Sequence, residues 1–370
     1  MTSMARRFDR HQLVVHLVDL RPDMGGSLPH TCAVVGQLAK HHAVMIVTDR
    51  RSLVVLRRRL PLDDLRVLIL PAWLRGRPAR HVAEQIVLPW IASLSRSTLV
   101  WSPISITAPR CIRRSQYAVS FHDLHTGTGG RKDKVTRRAA LAARKAAVLV
   151  VPSSLVAERA RALRGTGQVA VVGGGGTKVE PQTAPPFLGS TPYAICLSSD
   201  QENKGHRTLA GAVQRLLVSV PGFRLVLAGS RLEPNSLDRV YADLPTECWH
   251  DLGFVGPESL GSLLLGARFL VSASSYEGFG LAMLDALVSE VPVVATRVGV
   301  LVDHPQLLPT AVPPNDPAAL ADAMQSSWED SEALNQGRDL LVAAGLTWEA
   351  TAERVASALG LGHPGGGERT

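Results

Sequence analysis

The sequence predicts an α/β fold of two domains, each built on a parallel sheet. Three observations predict it. The chain has 370 residues, 45% of them apolar, which exceeds what one core usually supports and suffices for two. Short apolar runs that read as buried strands alternate with segments of helical periodicity, and strand, helix, strand order implies parallel pairing. A stretch of linker composition, TKVEPQTAPPFLGS at 177–190, stands near the middle. The expected parts are a first domain over 1–176 and a second over 177–346. A closing helix at 347–360 and a disordered tail at 361–370 complete the chain.

Charge divides the chain as well. The net formal charge of +8 hides 29 basic and 11 acidic residues in 1–180, a net of +18, against a net of −10 in the remainder. A basic half points to nucleic acid, anionic lipid or an anionic substrate. Nucleic acid is disfavoured, because only 5% of residues are aromatic and no nucleic-acid-binding motif is present. Cys32, Cys111, Cys196 and Cys248 are scattered without zinc or disulfide spacing. A reducing cytoplasm is therefore expected. Arg6, Arg7 and Arg10 precede an apolar run, but that run is short and contains His16 and Asp19, so it reads as a strand rather than a signal peptide. No stretch approaches the roughly 18 apolar residues that cross a bilayer. Any membrane contact is expected to be peripheral, on the inner face of the cell membrane.

Taken in order, residues 13–20 read as the first strand, about 29–40 as a helix and 44–48 as the next strand. Gly25 and Gly26 lie where the strand hands over to the helix, either for a plain turn or for close approach of a ligand to the backbone. Residues 50–115 are arginine-rich, with apolar runs at 67–70 and 99–101, and carry no legible chemistry. A buried strand at 118–121 ends in His122, Asp123 and Leu124. Ligands of open α/β sheets bind at that carboxyl edge, where a neutral imidazole can bond a hydroxyl and Asp123 can accept from one. RKDKVTRRAALAARK at 131–145 reads as a basic helix with an alanine and leucine side. It either packs on its own sheet or docks on an anionic bilayer. Strands at 148–151 and 169–172 lead to four glycines at 173–176, which lack dinucleotide-fingerprint spacing and read as a flexible hinge.

The second half opens with a strand at 193–197, then Ser198, Ser199 and, before a helix-periodic run, Lys204 and Gly205. A strand at 223–228 is followed by WHDLGFVGPESLGSLLLGAR, which contains Phe254 and Val255. The densest stretch is RFLVSASSYEGFGLAMLDALVSEVPVVAT at 268–296. It reads as a strand, a loop holding Glu277, Gly278, Phe279 and Gly280, a helix from about Leu281 to Ser289, and a second strand at 291–295. Asp285 follows eight positions after Glu277, about one turn into the helix. A helix N-terminus behind glycines suits phosphate oxygens, because unpaired N–H groups and the positive dipole end point at the ligand. Two carboxylates beside an anion are unfavourable unless they accept from hydroxyls, and a sugar phosphate supplies both kinds of group. Further on, Asn315 or Asp316 caps a helix.

This stretch resembles the EGFGLPxLEAMAxGxPVVAS segment of the family 4 retaining glycosyltransferases, or glycosyl transferases group 1. Other segments are similar too. Gly25 and Gly26 resemble the family's GG loop, and His122-Asp123-Leu124 resembles the same tripeptide of a mannosyltransferase-like branch. Lys204-Gly205 resembles the diphosphate site, and Trp348 in LTWEATAERVASAL resembles the SWE helix that crosses back onto the first domain. The resemblance implies a GT-B architecture, two Rossmann-like domains facing across a cleft, with a nucleotide sugar held mainly by the second. The implied reaction moves a hexose, mannose favoured, to an acceptor hydroxyl with retention of configuration.

The resemblance also implies roles. Lys204 and the backbone of Gly278, Phe279, Gly280 and Leu281 would hold the diphosphate, with a neutral hydrogen bond from Ser199. Glu277 would bind a donor-sugar hydroxyl, Asp285 the ribose, and Phe254 with Val255 the base. His122 would orient the sugar from across the cleft, Gly26 would approach the donor, and Gly25 and Asp123 would face the acceptor. The partners implied are a nucleotide sugar and a glycan, lipid-linked glycan or small-molecule acceptor. An anionic membrane surface is a further partner, and neither metal nor cofactor is expected. Four glycines replace the usual Pro-Asn-Gly, Ser199 stands for an arginine, Asp285 for a glutamate and Glu290 for a glycine. These departures keep a catalytically weak or non-catalytic relative open, alongside a nucleotide-sugar epimerase. An NAD-dependent dehydrogenase would need the fingerprint that is missing.

Overall fold

In the computed structural model the described residues are 12–73, 76–94, 98–104, 109–124, 131–164, 167–180, 191–330 and 337–362. They form two compact units. One is the chain through Gly174 together with the segment from Trp348 on; the other is Gly175–Thr347. The expected divisions lie after 176 and 346, and the structural ones fall after Gly174 and Thr347. The expected linker beyond residue 180, the tail beyond 362 and the basic N-terminal residues lie outside the described residues.

The first unit is a seven-stranded sheet. Its strands are β1 (Gln12–Leu17), β2 (Ala43–Thr48), β3 (Arg66–Ile69), β4 (Leu99–Ser102), β5 (Tyr117–Ser120), β6 (Val148–Val151) and β7 (Gln168–Val171), in the order β3-β2-β1-β4-β5-β6-β7. All neighbours are parallel. β5 and β6 are buried along their whole length, whereas the edge strands β3 and β7 are partly exposed. That explains why the central strands read as unbroken apolar runs. Alternation along β1 serves both faces: Leu13, Val15 and Leu17 belong to one core and Val14 to the other. The first face carries the helices Ser27–Ala39 and Trp348–Ala358, which touch through Gln37 Nε2 donating to Glu349 Oε1 at 2.8 Å. The opposite face carries Arg131–Lys145, Ser154–Arg164 and a helical run over 76–94 with one π-type turn at Ala83–Val87.

The second unit is a five-stranded parallel sheet of β8 (Ala194–Leu197), β9 (Leu225–Ala228), β10 (Trp249–Asp251), β11 (Phe269–Ser272) and β12 (Val293–Ala295), ordered β10-β9-β8-β11-β12. The helices His206–Ser219 and Pro317–Glu329 cover one face, and Pro257–Leu265 and Leu281–Val288 the other. Asp316 is the residue that caps Pro317–Glu329, its Oδ1 accepting from Ala318 N and Ala319 N. In both sheets the chain order reverses once, at β1/β4 and at β8/β11. Loops leaving the strand ends on either side of such a reversal diverge and open a crevice.

The tetraglycine, read as a flexible hinge, spans the division between the two units. Residues 173–175 are buried, and Gly173 O accepts from His30 Nε2 at 2.9 Å. A Cβ on Gly176 would stand 2.6 Å from Leu284 O. At Gly176, close packing against backbone leaves no room for a side chain.

Candidate functional site

The β8/β11 reversal brings the chemistry of the second unit together. The loop after β8 carries Ser199 and Lys204; the loop after β11 carries Glu277 and Gly280. Gly205 joins them closely, since at φ +69° its Cβ would lie only 1.9 Å from Ala273 O. Ser275 N donates to Asn203 O at 2.8 Å and Asn203 Nδ2 to Tyr276 O at 3.0 Å, so two loops far apart in sequence are stitched by one backbone bond and one side-chain amide. Lys204 Nζ then reaches Glu277 Oε1 at 2.7 Å, and Ser274 Oγ donates to the same oxygen at 2.7 Å. The side chains of Lys204 and Glu277 stay 20% and 18% exposed, enough for a ligand to reach both.

Beside this pair, the helix Leu281–Val288 begins. Gly280 precedes it at φ +104°, a conformation that side chains rarely adopt, and no side chain caps the helix. Its first N–H groups are therefore not capped by a side chain and suit an anion, together with the positive end of the helix dipole. Phe279 is buried in the core, with its carbonyl accepting from Val300 N at 2.8 Å, so it offers the site backbone rather than ring. Leu281 is likewise packed against that core.

Asp285 sits deeper on the helix. Its Oδ1 accepts from Thr177 N at 2.7 Å, and Ser289 Oγ, one turn on, accepts from Val179 N at 3.0 Å. Burial pushes the Asp285 carboxyl up to about 7, against the lowering effect of the Thr177 bond. One of its oxygens thus serves the connecting segment, where a ribose partner was expected.

Ser199 lies in a loop held through its backbone carbonyl. His206 Nε2 bonds Ser199 O at 2.9 Å and lies 3.2 Å from Ser198 Oγ, while Nδ1 meets Tyr241 Oη at 3.0 Å. Burial lowers the pKa of His206 and favours its neutral form. Phe254 is 51% exposed just past β10, next to β9 at the same sheet edge.

Sequence reading missed Arg231. Its Nε and Nη2 donate to Asp251 Oδ2 and Oδ1 at 2.9 and 2.5 Å, and Nη1 donates to Ser198 O at 2.9 Å. A guanidinium therefore stands beside the loop where the expected arginine is replaced by Ser199. The only signal was a charged residue two positions after Gly229, and long-range pairing with Asp251 is invisible without the sheet.

In the first unit, His122 leaves the end of β5. His122 Nε2 donates to Pro103 O at 2.8 Å, which leaves Nδ1 as an acceptor on the neutral ring. Burial, with His30 at a ring-centroid distance of 4.9 Å, lowers His122 to about 3. Gly25 adopts φ +62° with open space where a Cβ would stand, so the turn, not crowding, selects glycine. Gly26, at φ −64°, is an ordinary helix entry. Asp123 is exposed.

Residues 191–330 match the family glycosyl transferases group 1. Among curated relatives, O-antigen chain mannosyltransferase B of Escherichia coli is 33% identical over 162 residues, covering 42% of this chain and 42% of that protein. The D-inositol 3-phosphate glycosyltransferase of Corynebacterium efficiens is 30% identical over 175 residues, covering 42% and 40%. The matched region thus spans about two fifths of the length of these relatives. A TarM variant from S. aureus, solved with UDP, fondaparinux and alpha-GlcNAc-glycerol, superposes with a TM-score of 0.71 at 10% identity, over 95% of this chain and 100% of that one. The fold is that of the GT-B glycosyltransferases.

Proposed function

From a second unit that carries the glycosyl transferases group 1 domain, we propose that the protein is a retaining glycosyltransferase. It moves a hexose, mannose favoured, from a nucleotide-diphosphate sugar to an acceptor hydroxyl in polysaccharide, glycolipid or glycosylated-metabolite synthesis. The observation that carries this is the Lys204–Glu277 pair, set at a sheet reversal beside a helix N-terminus without a side-chain cap. The mannosyltransferase relative favours the sugar, and the UDP held by TarM favours a nucleotide donor.

The geometry suggests how the parts work. In the unliganded site the ammonium and carboxylate neutralise each other. A diphosphate at the Gly280 N–H groups draws Lys204 to itself, and Glu277, still held by Ser274 Oγ, turns its free valence to a sugar hydroxyl. Negative charge builds on the departing diphosphate in the transition state, where Lys204 and the helix N–H groups stabilise it most. No metal is required for that step in this reading. Ser199 donates a neutral hydrogen bond to a phosphate, and backbone at Gly278, Phe279 and Leu281 completes the cradle. Phe254 and Val255 border the base, and Asp285 takes the ribose by sharing its second oxygen. His122, through Nδ1, accepts from a sugar hydroxyl; Gly26 approaches the donor, and Gly25 and Asp123 border the acceptor.

The first unit supports work at an anionic membrane surface. Ile86, Trp90 and Leu94 recur every fourth residue on the outer side of the helical run over 76–94, at 63%, 55% and 45% exposure, and Leu141 on the same helical layer is 61% exposed. Exposed Arg110 lies beside this run, its N–H donating to Gln85 Oε1 at 3.3 Å. Apolar side chains on a basic domain suit the interface of an anionic bilayer, and no helix among the described residues is long and apolar enough to cross one.

Incubation with a panel of nucleotide sugars, followed by assay of sugar release or transfer, tests the proposal. Turnover of one donor that is lost in Glu277→Ala and Lys204→Ala supports it. Absence of turnover with tight donor binding favours the non-catalytic alternative, and donor conversion without acceptor favours an epimerase.

A further inference from the structure

Three segments leave adjacent strand ends in the second unit: 198–204 after β8, 229–232 after β9 and 251–256, counted from the last residue of β10. In the proposed function the first holds the diphosphate through Lys204 and the third borders the base at Phe254. Nothing in either loop's own sequence sets the separation of those two subsites. Arg231 sits between them and touches both. Its guanidinium pairs with both oxygens of Asp251 and donates to Ser198 O, and Asp251 Oδ1 in turn accepts from Gly253 N at 2.9 Å. Gly229 N donates to Gly253 O at 2.7 Å, and Leu232 N to the Asp200 carboxylate at 2.9 Å, so the middle loop is bonded to each neighbour twice over. The Arg231 and Asp251 side chains are only 10% and 18% exposed.

A planar fork that satisfies a carboxylate with two donors and a carbonyl with a third has one geometry, which an ammonium on a flexible stem lacks. We propose that Arg231 is a positioning residue that sets the spacing between the diphosphate and base subsites, and so selects donors that span both. This rests on the donor site proposed above. A ligand that occupies two subsites at once gains from their fixed separation, whereas a ligand confined to one subsite gains nothing from it.

The test is titration calorimetry of wild type, Arg231→Gln, Arg231→Lys and Asp251→Asn with UDP, GDP, ADP and TDP, and separately with inorganic pyrophosphate. Wild type should bind one of the nucleotides. Arg231→Gln should weaken that nucleotide at least tenfold while changing pyrophosphate less than twofold, and Arg231→Lys should fall between. In turnover the same change should appear as a raised donor KM with kcat within a few fold of wild type. If Arg231→Gln fails to fold, Asp251→Asn, whose amide nitrogen no longer accepts from Arg231 Nε and so breaks the two-point pair while Oδ1 still accepts from Gly253 N, should give the same selective loss. Equal weakening of nucleotide and pyrophosphate, or no weakening of the nucleotide, overturns the proposal. A wild type that binds none of the four nucleotides overturns the donor site itself, a different result from either.

Discussion

Lys204 and Glu277, separated by 73 positions in sequence, meet at 2.7 Å, and Ser274 Oγ holds the same carboxylate oxygen. The pair is poised to exchange partners with a donor. Lys204→Ala should lower kcat/KM by about 100- to 1000-fold, the loss typical when a group that stabilises developing negative charge is removed. Ser274→Ala should cost far less, because it removes one neutral hydrogen bond to Glu277 and no charge at the diphosphate. Steady-state kinetics on the donor found in the panel assay checks both, and similar losses in the two variants would contradict the assigned roles.

Asp285 predicts a pH dependence of stability. Its folded pKa is raised from 3.8 to about 7, so between those values the folded state binds more protons than the unfolded one. Stability from this group therefore falls as pH rises from about 4 to 7 and levels off above that. Asp285→Asn keeps an acceptor for Thr177 N and removes the titration. Its melting temperature relative to wild type should be higher at pH 8 than at pH 5, and an unchanged difference would refute the assignment.

Glu290 ends the helix Leu281–Val288 in a left-handed conformation, φ +60°, with Glu290 N donating to Leu287 O and Val291 N to Ala286 O. A glycine suits this C-terminal turn, and an exposed glutamate there carries backbone strain. Glu290→Gly should raise stability by roughly 1 kcal/mol, read as a higher melting temperature with donor affinity unchanged.

The stripe of Ile86, Trp90 and Leu94 predicts binding to lipid. Co-sedimentation should be strong with vesicles containing phosphatidylglycerol and weak with phosphatidylcholine alone, and added salt should reduce it. Trp90→Ser with Leu94→Ser should abolish it without lowering the melting temperature, since both side chains are largely exposed. Concentration-dependent dimerisation lost in the same double variant, without vesicle binding, would assign the stripe to a second copy of this chain.

How much of this was legible in sequence follows burial. β5, β6 and the 268–296 segment announced themselves because strands covered on both faces are unbroken apolar runs, and because Gly280 before an apolar-periodic helix is a local signal. β3 showed only as the short apolar run at 67–70 within an arginine-rich stretch, with nothing local to say which strand it pairs with. Glu277, Lys204 and His122 were found as residue types at informative strand ends.

By itself, then, the sequence determined the alternation of strands and helices, the two-domain count and which loops carry charge, because these depend on composition and neighbours a few residues away. Only the tertiary structure decided partners. It assigned one oxygen of Asp285 to Thr177 N, packed Gly176 against backbone, and set Arg231 between Ser198 and Asp251. The physical reason is that parallel strands adjacent in a sheet are joined by long crossovers, so the residues meeting at their ends lie tens of positions apart and no local pattern encodes the match.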